Sequence, residues 1–183
     1  MEKELEVWTE KVCNVHLPRW EELPDVSLYK EDVITIIEKY IDVLIESDWA
    51  TGITPSMINN YVKWKMIPPP EKRQYNRVHL GYLIAITILK QVMPIAEIKD
   101  GIKFQSTLNG THKAYNYFCE EQEKALRYVC SKINSKIESE EIEAEIEAGY
   151  IALKMASLAF ATKLISLKKV KIQQEEERRE GRK

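Results

Sequence analysis

Apolar residues recur at helical intervals along most of the chain. The first clear pattern steps by three and four residues and gives one wide apolar face. Its members are Val33, Ile34, Ile36, Ile37, Tyr40, Ile41, Leu44 and Ile45. The pattern predicts a helix over about residues 30–47. Before it, residues 1–13 are predicted to form a weakly amphipathic helix or an unordered arm, and the two prolines within residues 17–25 indicate a connector.

A short helix is predicted to follow. Thr54 is a suitable N-cap, and Pro55 stands at the first helical position, where its missing N–H costs nothing. The prolines at positions 68–70 end the helix, because each lacks a backbone donor and restricts the residue before it. Residues 49–52 are the predicted turn between the two helices. The pair is therefore predicted to be a helix-turn-helix.

The pattern continues through a buried helix. Asn76 is its predicted cap, and apolar residues cover most of its circumference over residues 78–92, which is typical of a central core helix. Pro94 begins a short helix that Gly101 is expected to end. Asn109-Gly110 is the predicted boundary between two domains.

Two long helices are predicted in the C-terminal part. The first carries apolar residues at three- and four-residue steps from Tyr115 to Ile137. The second is expected to open with the Glu-rich run at residues 138–147, because acids are favoured at a helix N-terminus. Residues 148–167 are apolar on almost every face. Lys154 and Lys163 argue against a membrane span there, since each costs about 2.5–3.5 kcal/mol at the bilayer centre.

A second subunit is expected to cover one side of that apolar helix. The reason is a coiled-coil-like seam, in which apolar and small residues are spaced four and three positions apart. Its members are Ile146, Tyr150, Leu153, Ser157, Phe160, Leu164 and Leu167. A simple hairpin within one chain is the alternative. The polar tail at residues 174–183 is expected to fray.

The charge distribution singles out the middle of the chain. Residues 1–48 carry 5 Lys/Arg against 13 Asp/Glu, residues 49–103 carry 8 against 3, and residues 104–183 carry 14 against 13. The nearly balanced whole, with a net charge of -2, therefore contains a basic segment. A cluster of cations of this kind is typical of a surface that neutralises phosphates.

The basic segment also carries the candidate DNA contacts. Asn59 and Asn60 lie on the predicted second helix, and Asn can pair bidentately with adenine. The other predicted contacts are Ser56, Tyr61, Lys63, Lys65, Lys72, Arg73, Tyr75 and Arg77. A structural alternative stays open for some of them: Tyr61 could close a small core, and Lys63 could belong to a solvated helix end.

The sequence offers no sign of an enzyme. It has neither a nucleophile and base at the spacing of a known catalytic motif nor a Gly-rich phosphate loop, and no cofactor or metal is expected. Cys119 and Cys130 lie on one predicted helix about 16 Å apart by helical rise, too far for a disulfide. Because the N-terminus lacks a secretory pattern, a cytoplasmic location is expected.

Residues 53–99 resemble the DNA-binding domain of MerR-type regulators. That domain has a Ser/Thr-capped helix ending in Tyr, then Gly-Leu-hydrophobic-Pro, a basic wing, Arg-x-Tyr-Ser, a long apolar helix and a short helix. The corresponding features are Thr54, Tyr61, Met66-Ile67-Pro68, residues 72–76, residues 78–91 and residues 94–99. Two positions depart from the family pattern. Asn59 replaces an Arg, and Lys65 replaces a Gly, where a left-handed conformation would cost a non-glycine residue roughly 1 kcal/mol.

A second resemblance is closer. It involves Leu23-Pro24, Leu28-Tyr29, residues 57–63 and residues 89–92. In these positions the chain is similar to an uncharacterised Gram-positive bacterial family known only as a domain of unknown function. This resemblance implies a fold and no activity.

Taken together, these patterns predict an all-α protein. The predicted parts are an arm and connector (1–29), a MerR-like winged helix-turn-helix domain (30–108), a long helical hairpin or bundle for dimerisation or effector binding (109–173), and the tail. We expect a homodimer that binds double-stranded DNA sequence-specifically as a transcriptional regulator. The C-terminal helices could also hold a small apolar ligand, and no membrane contact is expected. The alternative is a helical protein-interaction adaptor that keeps the fold without reading DNA.

Overall fold

The computed structural model of the chain describes residues 2–45, 52–138 and 146–180. Within these ranges the fold is all-helical, as predicted, and contains seven α-helices. They are α1 (Glu2–Cys13), α2 (Lys30–Ile41), α3 (Pro55–Lys63), α4 (Arg77–Leu89), α5 (Ile95–Asn109), α6 (Thr111–Ser131) and α7 (Ile151–Glu180). Short 3-10 helices lie at Trp20–Glu22, Asp42–Leu44 and Ala148–Tyr150. The same ranges hold no β-strand, only two isolated antiparallel bridges.

The chain divides into two compact units. One comprises residues 16–120, and the other comprises residues 1–15 together with 121–183. The first unit is larger than the predicted domain of residues 30–108, because the connector is part of it. Leu17 and Leu23 are buried, and the backbone N–H of Trp20 donates to Asn116 Oδ1 over 2.7 Å.

Helix α4 is the centre of the unit of residues 16–120, as its pattern predicted. Ten of its residues are buried, and α2 packs against both α4 and α3. Helix α2 contributes one face to the core of this unit, and Val33, Ile37 and Ile41 on that face are buried. Gly81 allows a close approach here, because a Cβ at that position would lie 3.3 Å from ring atoms of both Trp20 and Tyr115.

Several helix ends in this unit differ from their predicted positions. Helix α2 ends at Ile41 and continues as a 3-10 turn to Leu44, while residues 46–51, including most of the predicted turn, lie outside the described residues. The prediction that Gly101 ends the next helix is wrong. Helix α5 passes through Gly101 to Asn109, since one helical glycine costs only about 1 kcal/mol relative to alanine. Gly110, with φ 74°, follows that end.

The other unit contains α1, the second half of α6, and α7. Helix α1 packs against α7, so residues 2–13 are a helix and not an unordered arm. Asn134 Nδ2 donates to Thr9 Oγ1 over 3.1 Å, which joins the chain after α6 to α1. Between α6 and α7, the buried Lys154 and Glu121 form an ion pair of 3.2 Å.

Three predictions for the C-terminal part need correction. Helix α6 ends at Ser131 instead of near Ile137. Glu138 and Glu147 are not helical, residues 139–145 lie outside the described residues, and α7 begins only at Ile151. The tail is helical to Glu180 instead of frayed. Glu175 and Arg179 stand four positions apart, a spacing at which opposite charges stabilise an exposed helix.

The predicted dimer seam is partly occupied by the chain itself. Phe160 and Leu164 are 2% and 1% exposed, whereas Ile146, Tyr150, Leu153 and Leu167 are half-buried. Ser157, also buried, accepts a 2.7 Å hydrogen bond from Gln122 Nε2 of α6. These contacts are those of the intrachain hairpin.

One stretch in the described ranges, Ala148–Glu180, is long and apolar enough to cross a bilayer by length and composition. A helix of this composition is also found in the core of proteins that enter no membrane. The buried Lys154 within it is paired with Glu121.

Candidate nucleic-acid interface

Helix α3 begins as its sequence predicted. Thr54 Oγ1 accepts from the backbone N–H of Met57 over 3.2 Å, and Pro55 occupies the first helical position. Ile58 and Tyr61 turn inward and are 0% and 3% exposed. On the other side of the helix, Ser56, Asn59 and Lys63 are exposed, and Asn60 is half-buried. The predicted base-reading face is therefore open to solvent.

The turn after α3 has the backbone that a glycine would favour. Lys65 has φ 55°, and the next backbone N–H, that of Met66, donates to the carbonyl of Tyr61 over 2.9 Å. This is the six-to-one bond of a Schellman motif, with the left-handed residue at the position usually held by glycine. Met66 and Ile67 are buried behind it. Lys65 thus adopts the conformation expected to cost it roughly 1 kcal/mol.

A second tight turn, at residues 71–74, presents two cations at its tip. The backbone N–H of Gln74 donates to the carbonyl of Glu71 over 2.7 Å. Lys72 and Arg73 have φ values of 47° and 66°, the combination of positive values that defines a type I′ turn. Both side chains are exposed. We call residues 71–74 the basic turn.

The connector anchors the basic turn. Leu28 and Tyr75 exchange two backbone hydrogen bonds, of 2.9 and 2.8 Å. The ring of Tyr75 is 3% exposed and meets His79 edge to face, with centroids 5.1 Å apart. His79 Nε2 in turn donates to the carbonyl of Pro68 over 3.2 Å, and burial lowers the pKa of His79. These contacts fix the base of the turn between the core and the connector.

The two predicted tyrosine contacts lie inside the protein and need correction, whereas Arg77 is half-buried and already bonded within the unit. Tyr61 and Tyr75 are both 3% exposed, because their rings fill the core beneath α3 and beside His79. Arg77 donates from Nε to the carbonyl of Leu23 over 3.0 Å and lies 3.6 Å from Asp25, so its guanidinium ties α4 to the connector. The phenol hydroxyl groups and the guanidinium group predicted hydrogen bonds to DNA, but the sequence did not show which way each side chain points.

Lys30 is a member of the surface that the sequence did not reveal. Its Nζ donates to Asn59 Oδ1 over 2.6 Å, across the contact between α2 and α3. The two residues are 29 positions apart, and Lys30 lies in the acidic N-terminal part of the chain. The pairing of α2 with α3 in a helix-turn-helix was the available signal, but it does not set which side chains meet.

Lys90 is a second residue that sequence reasoning missed. It follows α4, and its Nζ donates to the carbonyl of Gly52 over 2.6 Å and lies 3.4 Å from Met57 Sδ. Burial lowers the pKa of the Lys90 ammonium to about 8. Lys90 therefore joins the end of the core helix to the chain that leads into α3.

The resulting surface is cationic and polar. Among the predicted contacts, Ser56, Asn59, Lys63, Lys65, Lys72 and Arg73 are exposed. Such a set of ammonium, guanidinium, amide and hydroxyl groups can donate to phosphate oxygens and to base edges. In the described parts of the chain, no group of three or more His, Cys, Asp or Glu side chains could hold a metal ion.

Comparison with known proteins gives one result. Neither a curated protein nor a solved structure matches the chain. A family model described as "Domain of unknown function (DUF1836)" matches residues 18–118, more than half of the 183 residues. The matched span nearly coincides with the compact unit of residues 16–120, and it agrees with the second resemblance drawn from the sequence. The chain therefore belongs to the DUF1836 family, a domain of unknown function.

Proposed function

We propose that the unit of residues 16–120 binds double-stranded DNA and that the protein is a dimeric, sequence-specific transcriptional regulator. One observation carries the proposal. In the described parts of the chain, the non-glycine residues with positive φ are Lys65, Lys72 and Arg73, all of them cations. Glycine would avoid a conformational cost of roughly 1 kcal/mol or more at each position. Strained backbone of this kind concentrates at functional sites, and exposed cations serve phosphate binding.

The proposed mechanism follows the winged helix-turn-helix pattern. Helix α3 enters the major groove with Asn59 and Asn60 near the base edges, while Ser56 and Lys63 flank them. The basic turn acts as the wing, and Lys72 and Arg73 bind the backbone phosphates. The resemblance of residues 53–99 to MerR-type regulators supports this arrangement. In a dimer, the remaining candidate contacts of the seam are the half-buried Ile146, Tyr150, Leu153 and Leu167.

DNA binding at several salt concentrations tests the proposal. Fluorescence anisotropy with the full chain and the DNA upstream of its own gene should give an affinity that falls with salt at a log–log slope of about -0.9 per phosphate contact. We expect about four to eight contacts per dimer, as an order-of-magnitude figure. The variant Lys72→Ala/Arg73→Ala should weaken binding to all sequences and flatten this slope.

A matched control removes two cations elsewhere in the same unit. Lys39 of α2 and Lys103 of α5 are exposed, so Lys39→Ala/Lys103→Ala changes the net charge equally. This control should retain the parent slope. Equal losses in both variants would indicate only general attraction by net charge, and binding no stronger than to random DNA, across genomic fragments as well, would contradict the proposal.

A protein-interaction adaptor is the second candidate, and one observation favours it. Phe104 and Leu108 lie one turn apart on α5 and are 54% and 51% exposed. Adjacent exposed apolar side chains are typical of protein contacts. An adaptor would bind its partner with little dependence on salt and lose binding in Phe104→Ser/Leu108→Ser, whereas the regulator would keep its DNA affinity in that variant.

A further inference from the structure

The contact between Lys30 and Asn59 constrains what α3 can read. Lys30 Nζ lies 2.6 Å from Asn59 Oδ1, and the Asn59 side chain is exposed at the centre of the proposed reading face. An ammonium group has donors and no acceptor, so it can bond only to the oxygen of the amide. The contact therefore settles which end of the Asn59 amide points towards α2: its oxygen is held, and its NH₂ group is turned away from Lys30.

The pair presents hydrogen-bond donors to the solvent. Asn59 contributes the two N–H bonds of Nδ2, and Lys30 contributes the N–H bonds that it does not spend on Asn59. The amide oxygen has two lone pairs, and Lys30 takes one of them. A donor from a partner would meet the other lone pair beside the positive charge of the ammonium. The pair therefore favours a partner that supplies acceptors.

The bases differ in this respect at their major-groove edges. Adenine offers the acceptor N7 beside the donor N6, so a bidentate contact needs one donor and one acceptor from the protein. Guanine offers two acceptors, N7 and O6. The adenine contact predicted for Asn59 would bring the N6 donor to an amide oxygen that already accepts from the Lys30 ammonium. The pair therefore disfavours adenine, whereas its two donors match guanine.

We infer that Lys30 and Asn59 form a guanine-reading pair, in which Lys30 orients the Asn59 amide and adds a donor of its own. The inference rests on the proposed function, because it requires that α3 enters the major groove. Lys30 is then a specificity-determining residue outside the recognition helix. It also offers one reason why an Asn can stand where MerR-type proteins have an Arg: the cation comes from α2.

Selection from a random duplex library tests the inference. We would select with the full chain and with Lys30→Met, which keeps an unbranched side chain but removes the donor. Lys39→Met is the control, since Lys39 is exposed on the same helix and carries the same charge. The parent and the control should prefer guanine over adenine at one position of each half-site by about 5- to 100-fold. In Lys30→Met the preference should shift towards adenine, and in Asn59→Ala it should be lost.

The outcomes separate this inference from the proposed function. Salt-dependent binding with an adenine preference in the parent, or with the same guanine preference in Lys30→Met, would overturn the inference and leave the regulator in place. Absence of sequence-selected binding in every form would remove the regulator and the inference with it. An NMR measurement of the Asn59 side-chain amide in the free protein gives a further readout: its signals should move in Lys30→Met and not in Lys39→Met.

Discussion

The ammonium group of Lys90 donates a hydrogen bond to the carbonyl of Gly52, over 2.6 Å. This bond connects the end of the core helix α4 to the chain just before Thr54, the N-cap of α3. The contact is half-buried, and burial lowers the pKa of Lys90 from its ordinary value of 10.5 to about 8. The position of the proposed reading helix is thus coupled to a titrating group.

This coupling predicts a pH dependence of stability. Because the folded-state pKa lies below the unfolded one, the unfolded chain binds more protons between about pH 8 and pH 10.5. The free energy of unfolding contributed by Lys90 should therefore rise with pH across that window. Urea unfolding of the parent and of Lys90→Met at several pH values measures the difference, since other titrating groups are common to both. A difference that is flat or falls with pH would contradict the prediction.

Changes in the basic turn are expected to move stability and DNA affinity in opposite directions. Lys72→Asn/Arg73→Gly installs the pair that type I′ turns prefer and removes two strained cations. We expect the free energy of unfolding to rise by about 1–2 kcal/mol, while DNA affinity falls at low salt. Urea unfolding and anisotropy on one preparation measure both quantities. Loss of stability together with binding would mean that the charges are structural and would remove the main support for the proposed function.

The N-cap of α3 offers a test of helix placement. Thr54→Ala removes the oxygen that accepts from Met57 and should lower the free energy of unfolding by about 1 kcal/mol. Thr54→Ser keeps that oxygen and is the control, with stability close to the parent in urea unfolding. If the alanine and serine variants were equally stable, the cap would make no contribution.

The ion pair of Lys154 and Glu121 predicts strong energetic coupling in the unit of residues 1–15 and 121–183. Their side chains are 10% and 7% exposed. Lys154→Met leaves the buried carboxylate with only the longer ion pair of 3.6 Å to the exposed Lys124, and should lower stability by about 3–5 kcal/mol. Glu121→Met/Lys154→Met removes both charges and should recover most of this loss. The double-mutant cycle, read by urea unfolding, gives the coupling. Additive losses would show that the two side chains act independently.

Features set by neighbouring residues were predicted well from the sequence. The Thr54 cap, the proline at the start of α3 and the core position of α4 all depend on contacts within a few positions or on one helical period. The end of α5 was predicted wrongly for a related reason. Gly101 is a weak local signal for a helix end, whereas the helix continues to Gly110, whose positive φ marks the actual end.

The candidate site was less predictable because its geometry is set by distant partners. The exposure of Lys63 and the burial of Tyr61 follow from α3 packing against α2, which sequence spacing alone does not orient. The type I′ turn carries Lys72 and Arg73, neither of which signals that turn in a sequence. Likewise Lys30 meets Asn59 only once two helices are packed.

The two hydrogen bonds between Leu28 and Tyr75 bear on how a smaller DNA-binding fragment should be cut from this chain. A fragment that begins at α2 would keep every residue of the proposed interface, but it would lack the backbone partner that holds the base of the basic turn. It would also lose the carbonyl of Leu23 that accepts from Arg77. The shortest useful fragment is therefore set by the connector and not by the helix-turn-helix.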